Sequence, residues 1–98
     1  MKQIDRIKDM ERRLERSAAA VMELSAALDK YEAVQKEIAA LSEYYSSKEW
    51  KQDLADDEAG LLPAGLKRGV LSEDGIWNLL ADVREVNEKM AGIAMPQN

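Results

Sequence analysis

The chain has 98 residues, a formal net charge of −5, and neither Cys nor His. This length supports one small domain, and the acidic balance argues against a general DNA or RNA binder, which needs a basic surface. The missing Cys and His exclude disulfides, thiol nucleophiles, thiolate or imidazole metal ligands and the usual general base. No apolar run approaches the ~20 residues of a membrane span and no signal-peptide pattern opens the chain, so we expect a cytoplasmic protein without membrane contacts.

The first 59 residues contain no Gly or Pro and are rich in strong helix formers. Their apolar residues recur roughly every 3.4 positions, close to the ~3.5 of a left-handed coiled coil. The sequence therefore predicts one helix from about residue 3 to about residue 46, either continuous or bent near its Ala-rich middle. The polar seam position Gln35 either fixes the register or marks a local shift of the seam to Val34. The whole seam comprises Ile4, Ile7, Met10, Leu14, Ala18, Val21, Leu24, Leu28, Tyr31, Gln35, Ile38, Leu41 and Tyr45.

A second, shorter helix is predicted from about residue 47 to about residue 58. Ser46 and Glu49 have the spacing of a capping box at its start, and Gly60 follows its end. Residues 60–72 contain three Gly and one Pro, which indicate a loop, but also five large apolar residues. A purely solvated linker would not carry those side chains, so this loop is predicted to pack on the helices.

A third helix is predicted over residues 73–92, where apolar side chains repeat every three and four positions. Ser72 is a favourable N-cap, and the two acidic residues after it suit the positive end of a helix dipole. Gly92 and Pro96 are expected to end the helix, and residues 93–98 are expected to fray.

Together these elements predict an all-α fold in a single domain over residues 1–98. The C-terminal helix would pack back antiparallel on the long N-terminal helix, with the short second helix between them in the chain. This arrangement is a helical hairpin or a coiled-coil-like three-helix bundle. No internal repeat or low-complexity tract indicates a further domain.

Three groups of residues in the second half of the chain, and the opening of the first helix, form a distinctive pattern. They are Tyr44-Tyr45, Ser47, Trp50 and Asp53; Pro63, Leu66 and Arg68; Gly69-Val70-Leu71-Ser72-Glu73-Asp74 with Leu79-Leu80; and Ile4-x-x-Ile7-x-x-Met10-Glu11. This pattern resembles the signature of a bacterial family catalogued as domain of unknown function 4298, over nearly the whole chain. The resemblance implies a small, stand-alone, all-helical bacterial protein and carries over no catalytic residue.

The nearest approach to a chemical site is the junction where the second helix leaves the first and the third begins. Arg68 would bind a small anion there, or it would pair with a carboxylate and tie the loop down. Catalysis is not expected, because chemistry without His or Cys would need a constellation of carboxylates or lysines that is not recognisable here. The candidate ligand or structural junction comprises Tyr45, Trp50, Asp53, Arg68, Ser72, Glu73 and Asp74, with Asp53, Glu73 or Asp74 as the expected partner of Arg68.

Two further charge clusters are interpreted as solvated helix faces. Asp53, Asp56, Asp57 and Glu58 would suit only hard cations, but they lack the spacing of a calcium-binding loop, so no metal and no other cofactor is predicted. Residues 1–16 contain six bases and four acids, a local net charge of +2. Because basic and acidic residues are interspersed, this segment is interpreted as an exposed helix rather than as a surface that binds nucleic acid or a membrane.

The strongest functional option is association with a partner helix. A homodimer, another protein's helix, or a monomer folded back on itself would each cover the seam, and an antiparallel two-fold pair would close it economically. Parallel and antiparallel pairing both remain open. The sequence predicts a non-enzymatic protein–protein interaction or scaffold domain, or alternatively a small-anion or metabolite-binding module at Trp50, Arg68 and Ser72. The candidate assembly seam is Leu14, Val21, Leu24, Leu28 and Ile38.

Overall fold

The structure, a computed structural model, describes residues 2–94 of the chain. Within this part all regular elements are helical, which confirms the predicted all-α class. A short 3-10 turn, Gly69–Leu71, precedes the last of four α-helices, which are α1 (Gln3–Ala33), α2 (Gln35–Tyr45), α3 (Lys48–Glu58) and α4 (Gly75–Ala94). None of the described helices is both long and apolar enough to cross a membrane.

The chain divides into two compact units, residues 1–35 and residues 36–98, where the sequence predicts one domain. The first unit is essentially α1. The second unit contains most of α2, together with α3, the 3-10 turn and α4. Within it, the 3-10 turn contacts both α3 and α4 and so holds these two helices together.

The predicted helix over residues 3–46 is interrupted at Val34, which settles the continuity that the sequence left open. Val34 has φ −99° and ψ 7°, and its N–H donates to the Tyr31 carbonyl at 3.3 Å, a tighter turn than the α-helical bond to the fourth residue back. The side-chain amide of Gln35 donates to the same carbonyl at 2.9 Å. Competition of this polar side chain for a helical acceptor is the physical reason for the interruption, and it places Ile38 on α2 instead of on the helix that carries Leu28.

The predicted second helix is confirmed as α3, but its predicted capping box is wrong. The N-cap is Ser47, whose hydroxyl accepts a hydrogen bond from the Trp50 N–H at 3.1 Å. The Ser46 hydroxyl instead donates to the Ser42 carbonyl at 3.2 Å, which leaves it no role at the start of α3. Ser46 and Ser47 are adjacent and chemically identical, so the three-residue spacing to Glu49 did not identify which of them is the N-cap.

α3 ends in a Schellman motif centred on Gly60. Gly60 has φ 74°, a left-handed conformation that glycine adopts without strain. Its N–H donates to the Asp57 carbonyl at 3.0 Å, and the Leu61 N–H donates to the Asp56 carbonyl at 2.9 Å. The prediction that Gly60 follows the end of this helix is confirmed, and the motif turns the chain back alongside α3.

α4 begins at Gly75, two residues later than predicted. The Ser72 hydroxyl accepts from the Gly75 N–H at 3.0 Å and donates to the Gly69 carbonyl at 2.9 Å. Ser72 therefore caps the start of α4, as predicted, and also ties that start to the 3-10 turn. Glu73 and Asp74 lie in the intervening bend, so the expectation that they occupy the first helical turn is wrong.

The predicted end of this helix near residue 92 is also wrong, since α4 continues through Gly92 to Ala94. A glycine in a helix interior costs about 1 kcal/mol relative to alanine, too little to stop a helix with flanking formers. Ile93 and Ala94 of the predicted frayed tail are thus helical, and residues 95–98 lie outside the described residues.

Leu71 and Ile76 are the buried apolar residues of the described chain, at 7% and 3% exposure. They lie on the 3-10 turn and in the first turn of α4, so the small core forms where these two elements meet. The predicted packing of the loop is confirmed at Leu71, whereas Leu61 and Leu66 remain exposed. Gly75 permits this close approach, because a Cβ there would overlap the Gly69 carbonyl oxygen.

Candidate functional site

Arg68 organises the loop between α3 and the 3-10 turn. Its Nε donates to the Asp57 carboxylate at 2.5 Å, and its two terminal nitrogens donate to four backbone carbonyls at 2.5–3.4 Å. A guanidinium has five N–H donors, and each has an acceptor here. The carbonyls belong to Leu62, Pro63, Ala64 and Leu66.

The predicted pairing of Arg68 with Asp53, Glu73 or Asp74 is wrong. The Schellman motif after α3 folds the loop back, so that Asp57 in the last turn of α3 faces Arg68. Asp53 lies one helical turn earlier, where it bonds to another residue. Because every Arg68 donor is already used within the protein, the guanidinium has no donor left for a bound anion unless the loop opens.

Tyr44 and Asp53 form a second link, between α2 and α3. The Tyr44 hydroxyl donates to a carboxylate oxygen of Asp53 at 2.6 Å. This hydrogen bond, followed by partial burial and the negative charge of Asp53, raises the pKa of Tyr44 to about 12 from its usual 10.0. The pair holds the middle of α3 against the end of α2, a structural role that composition alone did not predict.

We expect the Tyr44–Asp53 bond to make stability depend on alkaline pH. Because the pKa of Tyr44 is raised in the fold, its stabilisation is complete below pH 10 and is lost as the pH rises toward about 12. Phenolate absorbance should show one late-titrating tyrosine that Tyr44→Phe removes and Tyr45→Phe retains. Loss of the late titration in the Tyr45→Phe protein would contradict the assignment, as would its survival in Tyr44→Phe.

Trp50 joins α3 to the 3-10 turn and packs against α2. Its indole N–H donates to the Val70 carbonyl at 2.9 Å. The ring of Tyr45 meets the indole edge-to-face, with centroids 4.8 Å apart and planes at 64°. Both aromatic residues of the predicted junction therefore have intramolecular partners that account for their positions.

The predicted junction residues thus belong to separate local networks. Tyr45 and Trp50 pack together, Asp53 binds Tyr44, Arg68 holds its loop, and Ser72 caps α4. Glu73 and Asp74 are exposed. On α3, Asp56 accepts from Gln52 at 2.9 Å, and residues 2–94 contain no group of three or more acidic side chains placed to hold a metal ion.

An apolar cleft of about 380 Å³ lies within the second unit, between α2, the 3-10 turn and α4. The sequence reasoning missed it, although the apolar loop residues and the spacing of Ile76 and Leu79 were its available signals. Its single charged lining residue is Lys67. The lining consists of Leu41, Lys67, Gly69, Val70, Gly75, Ile76 and Leu79.

A stripe of exposed apolar side chains runs along α1, which contains no buried residue. Seven apolar side chains of the predicted seam, here called the α1 seam, are 39–67% exposed. They are three, four or seven positions apart and therefore share one face of the helix. The α1 seam comprises Ile4, Ile7, Met10, Leu14, Val21, Leu24 and Leu28.

A protein-family model matches residues 7–93 of the chain, and that family is described as Domain of unknown function (DUF4298). The matched range runs from the second turn of α1 almost to the end of α4. It therefore includes the α1 seam from Ile7 onward and the loop that Arg68 organises. No curated protein and no solved structure matches the chain.

Proposed function

The chain belongs to the DUF4298 family, as its motifs predict, and we propose that it is a non-enzymatic protein–protein interaction domain that binds a second copy of itself. The interaction surface is the α1 seam. The proposed location is the cytoplasm, which fractionation of expressing cells would test.

The exposure of the α1 seam is the observation that carries this proposal. Leu14 and Val21 are 62% and 67% exposed, and monomeric proteins rarely leave a continuous apolar stripe in water. Full burial of one such side chain contributes about 1.5–3 kcal/mol. Seven from each of two copies would exceed the roughly 4–15 kcal/mol that association costs in lost freedom.

A second copy is the partner that this surface suits best. Heptad-like spacing allows the side chains of one helix to enter the spaces between those of another helix with the same spacing. Each copy supplies a matching stripe on a helix of 31 residues, about 46 Å long at ~1.5 Å per residue. A two-fold pair then buries both stripes in one interface and leaves no open end for further addition.

The alternative, a small-anion or metabolite-binding module at Trp50, Arg68 and Ser72, has less support. All five Arg68 donors have acceptors within the protein. The Ser72 hydroxyl already donates one hydrogen bond and accepts another. A ligand would have to break these bonds before it could make its own. The α1 seam requires no such rearrangement.

Leu28→Asp tests the proposal against a matched control, Ala26→Asp. Both substitutions add one carboxylate to the same stretch of α1, but Ala26 lies on the opposite face from Leu28. Burying an unpaired carboxylate in the interface should raise the dimer dissociation constant at least about 100-fold, which corresponds to about 2.7 kcal/mol, whereas Ala26→Asp should change it little. Sedimentation velocity at several concentrations measures both values, and equal effects of the two substitutions would contradict the proposal.

A further inference from the structure

We propose that the two copies pair antiparallel through α1, with Leu14 of one copy opposite Leu24 of the second copy. This inference rests on the proposed self-association and specifies its orientation and register. Both follow from the distribution of charge along α1 and from the positions of its apolar residues.

The charge of α1 changes sign near its middle. Residues 2–16 contain six bases and four acids, a net charge of +2, whereas residues 17–33 contain one base and three acids, a net charge of −2. Antiparallel pairing places the positive half of each helix against the negative half of the other, at both ends of the interface. Parallel pairing opposes halves of like charge and also aligns the two helix dipoles unfavourably.

The apolar contacts do not distinguish parallel from antiparallel pairing, so the orientation is inferred from charge. Parallel and antiparallel pairs would bury the same seam side chains, so hydrophobic burial contributes nearly equally to both. A parallel pair would gain contacts between Arg6 and Glu11 of the two copies, but an isolated exposed ion pair stabilises little. The antiparallel pair instead brings the +2 half of each helix beside the −2 half of the other copy, at both ends of the interface.

The register follows from the heptad positions. If Ile7, Leu14, Val21 and Leu28 are taken as the first core position of each heptad, the second core positions are Met10, Ser17, Leu24 and Tyr31. In an antiparallel pair each first position faces a second position of the other helix. On each side of the two-fold axis, full overlap then pairs Met10 with Leu28, Leu14 with Leu24, and Ser17 with Val21 of the second copy.

Small residues surround the proposed two-fold axis. Ala18 and Ala20 flank the core positions there and allow the two helices to approach closely. Farther out, Glu11 would face Ser25 and Arg13 would face Ala27, so no pair of like charges is opposed across the interface. A shift by one heptad would expose a layer at each end and is disfavoured by the loss of apolar burial.

The natural absence of Cys makes disulfide trapping a direct test. A disulfide needs Cα atoms within about 4.4–6.8 Å. In the antiparallel register, Leu14→Cys and Leu24→Cys proteins each place their own cysteines about 15 Å apart along the axis, so neither alone should form a linked dimer. After subunit exchange and mild oxidation, their mixture should give at least about tenfold more linked dimer than either alone.

The Met10→Cys and Leu28→Cys pair repeats the test one layer away, in case one pair weakens association. Efficient linking of each single variant with itself would establish parallel pairing and overturn the inference. Dimeric mass without linking in any of these combinations would overturn the register. A monomeric wild-type mass would overturn the proposed function itself, which distinguishes the two failures.

Discussion

Gly75→Ala should destabilise the protein by about 3 kcal/mol, although the same change usually stabilises a helix. A Cβ at this position would overlap the Gly69 carbonyl oxygen and lie 2.8 Å from the Ser72 hydroxyl. Because the Gly69 oxygen belongs to the backbone, the overlap can be relieved only by moving α4 away from the 3-10 turn. The expected cost is therefore at the upper end of the usual ~1–3 kcal/mol for overpacking. That separation would also loosen the burial of Leu71 and Ile76.

Gly92→Ala is the matched control, because Gly92 lies in the same helix with nothing within 4 Å of an added Cβ. It should stabilise the protein by roughly 0.5–1 kcal/mol through helix propensity alone. Urea unfolding of both variants at one fixed protein concentration measures the two effects. Shifts of the same sign would contradict the close approach of α4 to the 3-10 turn.

Arg68→Ala should lower the free energy of unfolding by about 2 kcal/mol, the second largest effect that we expect on folding stability. The change removes five hydrogen bonds and leaves Asp57 without its cation. Hydrogen bonds to charged groups contribute about 1.5–3 kcal/mol each when well buried, but the Arg68 side chain is 32% exposed, so water replaces part of the loss. Arg68→Lys should recover little, because one ammonium cannot reproduce the planar fork of donors.

Arg84→Ala is the control for this substitution, since the Arg84 side chain is exposed on α4 and makes no side-chain hydrogen bond or ion pair within residues 2–94. Its effect should stay within about 0.5 kcal/mol. Thermal unfolding with and without inorganic phosphate separates the two roles of Arg68. A small loss of stability, together with phosphate stabilisation that Arg68→Ala abolishes, would favour the anion-binding alternative.

Helix content was predictable because local composition decides it. The absence of Gly and Pro before residue 60, the position of Gly60 and the capping role of Ser72 each depend on a few neighbouring residues. The interruption at Val34 was not predictable, because it depends on which acceptor the Gln35 amide selects. Helix propensities describe residues one at a time, so they do not account for a side-chain amide that competes with a backbone N–H for the same carbonyl.

The tertiary partners were less predictable than the helices. Arg68 was correctly identified as a residue that could tie down the loop, but its partner Asp57 depends on how the Schellman motif redirects the chain. The requirement for glycine at position 75 comes from the backbone of Gly69, six residues earlier, which leaves no room for a Cβ. Both features arise from backbone paths that sequence spacing does not encode.

The central claim is that the exposed α1 seam is covered by a second copy of the chain. Light scattering across roughly a hundredfold concentration range tests it most directly, because a reversible dimer responds to concentration by mass action. We predict a mass near 22 kDa, twice the 11.0 kDa of one chain, that falls only on strong dilution. A constant mass near 11 kDa at every concentration would contradict the claim.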